Sequence, residues 1–246
     1  MSVWSEAVGT VWPGRDARDG PLPPLLLALT LVTGLVDATS YLKLGHVFVA
    51  NMTGNVVFLG FAIAGAGAVS IWASLTAIGS FLVGGVAGGR IGARWSGDRG
   101  RHLTATTATE LLLVAAALVV AAFSAHHIGT GSRYAVIVLL AVAMGVQNAN
   151  ARKLAVPDLT TTVLTMTLTG VAADSKLAGG PGSRLARRGL SVAAMLLGAL
   201  IGGLLLLKVD NAAPLALATA LLAAVAFLTY RASRSTPGWA RTGGEH

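Results

Sequence analysis

The stretch Gly34–Gly60, GLVDATSYLKLGHVFVANMTGNVVFLG, decides how this chain folds. Its flanks are apolar enough to enter a bilayer. Its centre carries Asp37, Lys43, His46, Asn51, Thr53 and Asn55, and Gly45 and Gly54 loosen the backbone there. Polar residues and broken backbone at membrane depth are tolerated where they are buried in protein or line a cavity. A softer version follows at Gly145–Gly170, GVQNANARKLAVPDLTTTVLTMTLTG.

Outside these two stretches the chain is built of long apolar segments joined by short polar loops. It has 246 residues, 54% hydrophobic and 11% charged, with a mean hydropathy of +0.72. Soluble domains carry about 25% charged residues, so the expected class is an integral membrane protein with the lipid bilayer as its partner. The net charge of +8 comes from Lys and Arg in short loops between apolar segments, with no basic stripe interleaved with aromatics, so nucleic acid is not an expected partner. With no cysteine, disulfides, Cys–Zn sites and thiol catalysis are excluded. No catalytic motif or cofactor fingerprint is present, and the chain is not read as an enzyme. Residues 1–21 read as a cytoplasmic tail without a cleavable leader pattern, and residues 235–246 as a loose polar cytoplasmic tail.

Six segments read as spans: 25–44, 70–95, 103–124, 134–154, 188–207 and 212–230. Residues 47–66 and 159–174 are ambiguous. If both cross, the Lys and Arg residues divide almost evenly between the two sides. If both dip in and return, all of the 18 except Lys43, Arg133 and Lys208 fall on one side. The positive-inside rule therefore favours six spans plus two broken or re-entrant elements. The halves resemble each other, SFLVGG at Ser80–Gly85 aligning with GALIGG at Gly198–Gly203. Three spans per half gives the halves opposite orientation, an arrangement common in secondary transporters. The expected fold is an all-α polytopic membrane helix bundle. It is one domain over 22–234, made of two inverted three-span repeats, 22–126 and 133–234.

Asp37 lies well inside the first span, where an acid costs about 2.5–3.5 kcal/mol. It is either a proton or cation site or a structural acid bonded to Thr33, Tyr41 or the Asn/Thr cluster. Val47–Ala50 prefers extended backbone, so Asn51 or Thr53 can cap a short helix starting near Gly54 and Asn55. Such a terminus suits a polar or anionic group. Val156–Pro157 and Thr160, Thr161, Thr162 or Thr165 offer the same device again. The alternative is a continuous helix with threonines bonded back to their own turn. Gln147 and Asn150 share a face and, with Asn148, either coordinate a solute or join helices. Glu110 is expected to pair with a basic residue. His126 and His127 lack the spacing of a metal pair, and no metal site is expected.

The two stretches, above all Asp37 and Asn51-Met52-Thr53-Gly54-Asn55, resemble the YoaK-like family of bacterial inner-membrane proteins, a domain of unknown function. The resemblance runs from about Leu22 to Arg234. It implies a multi-pass bacterial membrane protein and supplies no substrate. The residues themselves point to a secondary transporter or permease for a small polar solute, anions included. Its site is expected near the midplane, lined by Asp37, Asn51, Thr53, Gly54, Asn55, Gln147, Asn148, Thr162 and Thr165. The alternative is a non-transporting sensor, assembly factor or scaffold whose polar cluster is structural. A homodimer is compatible with either.

Overall fold

The computed structural model describes residues 3–14, 19–67, 69–124, 129–157, 159, 164–180, 184–235 and 237–240. In chain order the helices are α1 (Val3–Val11), α2 (Leu22–Lys43), α3 (Met52–Ile63), α4 (Ile71–Arg94), α5 (Arg99–Phe123), α6 (Thr130–Leu154), α7 (Leu164–Ala173), α8 (Leu185–Lys208), α9 (Ala213–Ser235) and α10 (Pro237–Ala240). A 3-10 turn at Lys176–Ala178 lies between α7 and α8. Among the described residues, six helices are long and apolar enough to cross a membrane: α2, α4, α5, α6, α8 and α9. The ambiguous segments become α3, 12 residues, and α7, 10 residues. At 1.5 Å per residue they reach about 18 and 15 Å, too short for a hydrocarbon core of about 30 Å.

Local chemistry explains the ends. Pro23 and Pro24 occupy the first turn of α2, where a missing N–H leaves no bond unmade. Ser70 caps α4 by accepting from the Ala73 N–H at 3.3 Å, and Asp98 caps α5 by accepting from Arg101 N–H at 2.8 Å. Two terminal expectations change. The segment before α2 contains α1, which packs on α8 and α2. The tail expected to be loose after Ser235 instead begins with α10, where Trp239 and Ala240 are buried. Trp239 lies against Gly20, and Ala240 lies beside Gly100. An indole is a large apolar surface even in a polar segment, and that decides its placement.

One ion pair fixes the number of crossings. The Arg99 guanidinium lies 3.4 Å from the Asp19 carboxylate and donates to the Leu154 carbonyl at 3.1 Å. The start of α2, the start of α5 and the end of α6 therefore share one face of the bundle. Eight crossings would put Asp19 and Arg99 on opposite faces. Six crossings put all three together, with α2 and α6 antiparallel. A single cysteine at Gly65 is thus expected to react with an impermeant thiol reagent from the face opposite Arg99. One at Lys153 will react from the Arg99 face. Labelling of vesicles of known orientation with the two sides exchanged would refute the six-span arrangement.

The halves are woven together. The two most extensive helix pairings are α4 with α6 and α2 with α8, each joining one half to the other, and α5 packs along α9. The most buried spans are α2 and α6, with 67% and 61% of their apolar windows inside, against 28–33% for the other four. Glycines allow this contact. A Cβ on Gly34 would stand 2.5 Å from the Met195 carbonyl oxygen, and one on Gly145 would strike the Phe81 carbonyl oxygen. Gly84 meets Val142 as Gly198 meets Leu31, and Gly88 meets Val146 and Ala149 as Gly202 meets Leu35 and Ala38. The repeat is therefore real at the level of contacts, but its register differs from the sequence alignment. Gly84 and Gly88 correspond to Gly198 and Gly202, one helical turn away from the SFLVGG–GALIGG match. Small residues recurring every fourth position survive a one-turn slip, so the sequence alignment had no means of rejecting it.

Candidate functional site

Between α2 and α3 the chain leaves helical geometry, and every N–H it exposes there needs a partner. Gly45 (φ +97) and His46 (φ +57) turn the chain through the left-handed region, where glycine carries no Cβ penalty. Asp37 and Asn55 then hold the segment that follows. Asp37 Oδ1 accepts from Val49 N–H at 3.0 Å and from Ala50 N–H at 2.9 Å. Asn55 grips Phe48 at both ends, accepting from its N–H at 2.9 Å and donating to its carbonyl at 2.6 Å. Phe48 stacks between Tyr41 and Phe58, with ring centroids 5.0 and 5.7 Å apart. Gly54 makes room for it, since a Cβ there would stand 2.8 Å from the Phe48 ring. The partners expected for Asp37 as a structural acid are Thr33, Tyr41 or the Asn/Thr cluster. The structure gives Oδ1 the loop backbone instead, because an extended segment has free N–H groups and a helix has none to offer.

Asn51 caps α3, accepting from Gly54 N–H at 3.3 Å. The broken-helix reading therefore holds for the first half, and α3 starts at Met52, slightly earlier than Gly54. Removing the cap with Asn51→Ala is expected to cost about 1 kcal/mol, read as a lower melting temperature in detergent and faster proteolysis in the 44–51 loop. No change in either would remove Asn51 from the capping role.

The expected site residues are not gathered at one place. Asp37 and Asn55 are buried beneath the loop, while Asn51 and Thr53 are exposed at the start of α3. Within the core, Gln147 Nε2 donates to Thr33 Oγ1 at 2.8 Å, joining α6 to α2. Asn148 donates back to the Met144 carbonyl at 2.8 Å. Thr165 is exposed on α7, and Thr162, with Thr160, Thr161, His126 and His127, lies outside the described residues. Among the described residues α3 packs on α4 and α7 on α8, and the two short helices do not touch. The physical reason is the inversion itself: α3 follows the end of α2 on one face, and α7 follows the end of α6 on the other.

What the core does assemble is a short polar column. Thr33 and Asp37 are i,i+4 on one face of α2, about 6 Å apart along its axis. Gln147 meets Thr33, and Asn150 lies one turn beyond Gln147 toward the Arg99 face. All four are buried. Asp37 Oδ2, Gln147 Oε1 and both amide atoms of Asn150 find no hydrogen-bond partner among the described residues. Glu110 of α5 is also buried with Oε1 unpartnered, in place of the basic partner expected for it. Buried polar atoms left this way cost about 1–3 kcal/mol each unless something binds them. In the sequence Thr33 stands out only as a partner for Asp37. Its pairing with Gln147 depends on the rotation of α2 against α6, which no single-helix pattern reports.

Fold and site together define a multi-pass α-helical membrane protein of two inverted repeats with a buried polar column where they meet. A family model described as "Protein of unknown function (DUF1275)" matches residues 25–228, and the chain belongs to that family. A relative from Bacillus subtilis (strain 168), called UPF0700 transmembrane protein YoaK, is 38% identical over 151 residues. The match covers 61% of this chain and 65% of the relative, so the chain spans a little under two thirds of that relative's length. The resemblance read from Asp37 and Asn51–Asn55 is thereby borne out. No solved structure matches the chain.

Proposed function

We propose that the chain is a secondary transporter or permease for a small polar solute, with small anions the first class to try. The observation that carries this reading is the unpartnered set on α2 and α6: Asp37 Oδ2, Gln147 Oε1 and the Asn150 amide. These groups lie along the line where two inverted halves face each other, and binding a polar solute there would satisfy them. In this reading Gln147, Thr33 and Asn150 hold the solute, Asp37 is the coupling acid, and α3 and α7 flank the approaches from opposite faces. No catalysis and no cofactor form part of it. The membrane is taken to be the bacterial cytoplasmic membrane, with the basic Arg99 face and both termini cytoplasmic.

One observation favours a second reading, a static sensor or scaffold: Asp37 Oδ1 and both polar atoms of Asn55 are engaged by the loop backbone. A substrate-free experiment separates the two. Thr33 is fully buried, and a transporter must open its midplane to each side in turn. Thr33→Cys, in this cysteine-free chain, is expected to react with a small hydrophilic thiol reagent from either face, in right-side-out and in inverted vesicles. Reaction from neither face, or from one only, would favour the static reading. Solutes that raise the melting temperature then enter a proteoliposome uptake assay, where Gln147→Ala and Asn150→Ala are expected to lose flux.

A further inference from the structure

A groove of about 970 Å³ opens on the surface between α4 and α6. On α4 it runs from Phe81, near the helix midpoint, to Gly92, near the Arg99 face. That is about 16 Å, or half of a hydrocarbon core of about 30 Å. Its depth is one leaflet. The space exists because Gly85 and Gly89 have no side chains: nothing stands within 4 Å of where a Cβ on either would be. At the membrane-surface end it is lined by Arg152 and Lys153, both exposed. The Lys153 stem packs at Gly92, where a Cβ would lie 3.5 Å from Lys153 Cγ.

The repeat supplies an internal comparison. In the register fixed by the glycine contacts, Gly85 corresponds to Ala199, Gly92 to Leu206, Arg152 to Tyr41 and Lys153 to Leu42. Leu42 lies against Gly203, the counterpart of Gly89, 3.9 Å from where its Cβ would stand. The α2–α8 pair thus has bulk and no cations where the α4–α6 pair has an open floor and two. The same backbone pairing carries a basic-mouthed groove on one face only.

We propose that this groove seats an anionic glycerophospholipid from the leaflet on the Arg99 face. Its phosphate lies between Arg152 and Lys153, and one acyl chain runs over Gly85 and Gly89. Cations at headgroup depth above an apolar channel suit that lipid. A helix of a second copy would run the full membrane thickness, whereas the groove stops at Phe81.

The experiment uses the purified full chain in a neutral detergent, titrated with phosphatidylglycerol or with phosphatidylcholine of the same acyl chains. Native mass spectrometry reads binding, and the melting temperature reads stabilisation. Phosphatidylglycerol is expected to bind preferentially and to raise the melting temperature. Losing two cations in Arg152→Gln with Lys153→Gln is expected to weaken it about 30-fold, at about 1 kcal/mol per cation. Gly89→Leu keeps the charges and fills the channel, and it too is expected to weaken binding at least tenfold. Gly85→Leu replaces it if Gly89→Leu does not fold, judged by a lipid-free melting temperature below that of the wild type. Equal binding of the two lipids would overturn the proposal. So would a loss on charge removal with none on filling, which signals general surface attraction. A change of oligomeric state in Gly89→Leu with lipid binding intact would assign the groove to a second copy instead.

Discussion

Gly34→Leu and Gly145→Leu will each leave little folded protein in the membrane, and to a similar extent. Both residues lie where α2 meets α8 and α6 meets α4, and what a side chain meets there is main chain. A Cβ on Gly34 would stand 2.5 Å from Met195 O and 2.6 Å from Ala199 N, and one on Gly145 2.8 Å from Gly85 N. Main chain inside a helix cannot swing aside as a flexible side chain does, so the two helices must part along their length. Overpacking costs about 1–3 kcal/mol where neighbours adjust. Alanine is expected to cost about 3 kcal/mol at either position, and leucine to exceed what the fold can lose. Gly79→Ala is the control: nothing lies within 4 Å of its Cβ position, and alanine for glycine in a helix gains up to about 1 kcal/mol. Size-exclusion profiles and melting temperatures in detergent read all of these. A wild-type melting temperature for Gly34→Leu would show that the α2–α8 contact is not as close as described.

The second large effect is expected at Asp37, and it depends on which atom is lost. Asp37→Ala removes the acceptor for Val49 N–H and Ala50 N–H and leaves two buried donors unmade, at about 1–3 kcal/mol each. A total loss of about 4 kcal/mol is expected, with the 44–51 loop opening to proteases first. Asp37→Asn keeps an oxygen where Oδ1 stands and should melt within a few degrees of the wild type. If Asp37 also couples transport, Asp37→Asn will lose flux while folding normally, because an amide cannot carry the proton. Equal stability of Asp37→Ala and Asp37→Asn would contradict the loop-holding role.

The features legible in the sequence share a cause: they depend on position along the chain. Six spans followed from segment length and from the placing of Lys and Arg beside them. The break before α3 followed from Val47–Ala50 and the capping residue Asn51. What could not be read depends on rotation about a helix axis or on partners far away. Asn51, Thr53 and Asn55 lie within about one turn, yet only Asn55 is buried, because it is the one that turns toward the loop and bonds Phe48. Thr165 has the composition of a site residue and faces outward, because α7 rests on α8 by another side. Gln147 meets Thr33 across more than a hundred residues of chain, and Trp239 is drawn in from a polar segment by surfaces around Gly20 and Gly100. The Gly84–Gly198 equivalence was hidden by the regularity that makes the glycine faces work.

The weave of the halves also sets the order of events during synthesis. α2 leaves the ribosome well before its partner α8, which follows it in the chain by more than a hundred residues. At about 5–20 residues per second, α2 waits on the order of ten seconds before the helix that fits Gly34 exists. During that time the nascent first half must reside in the bilayer with its glycine faces toward lipid and Asp37 in hydrocarbon, held only by its own loop. The bonds from Asp37 to Val49 and Ala50 are local, twelve and thirteen residues away, so they can form in that interval. An acid that captures its own loop early would keep the half-made protein insertable until the second half arrives to close around it.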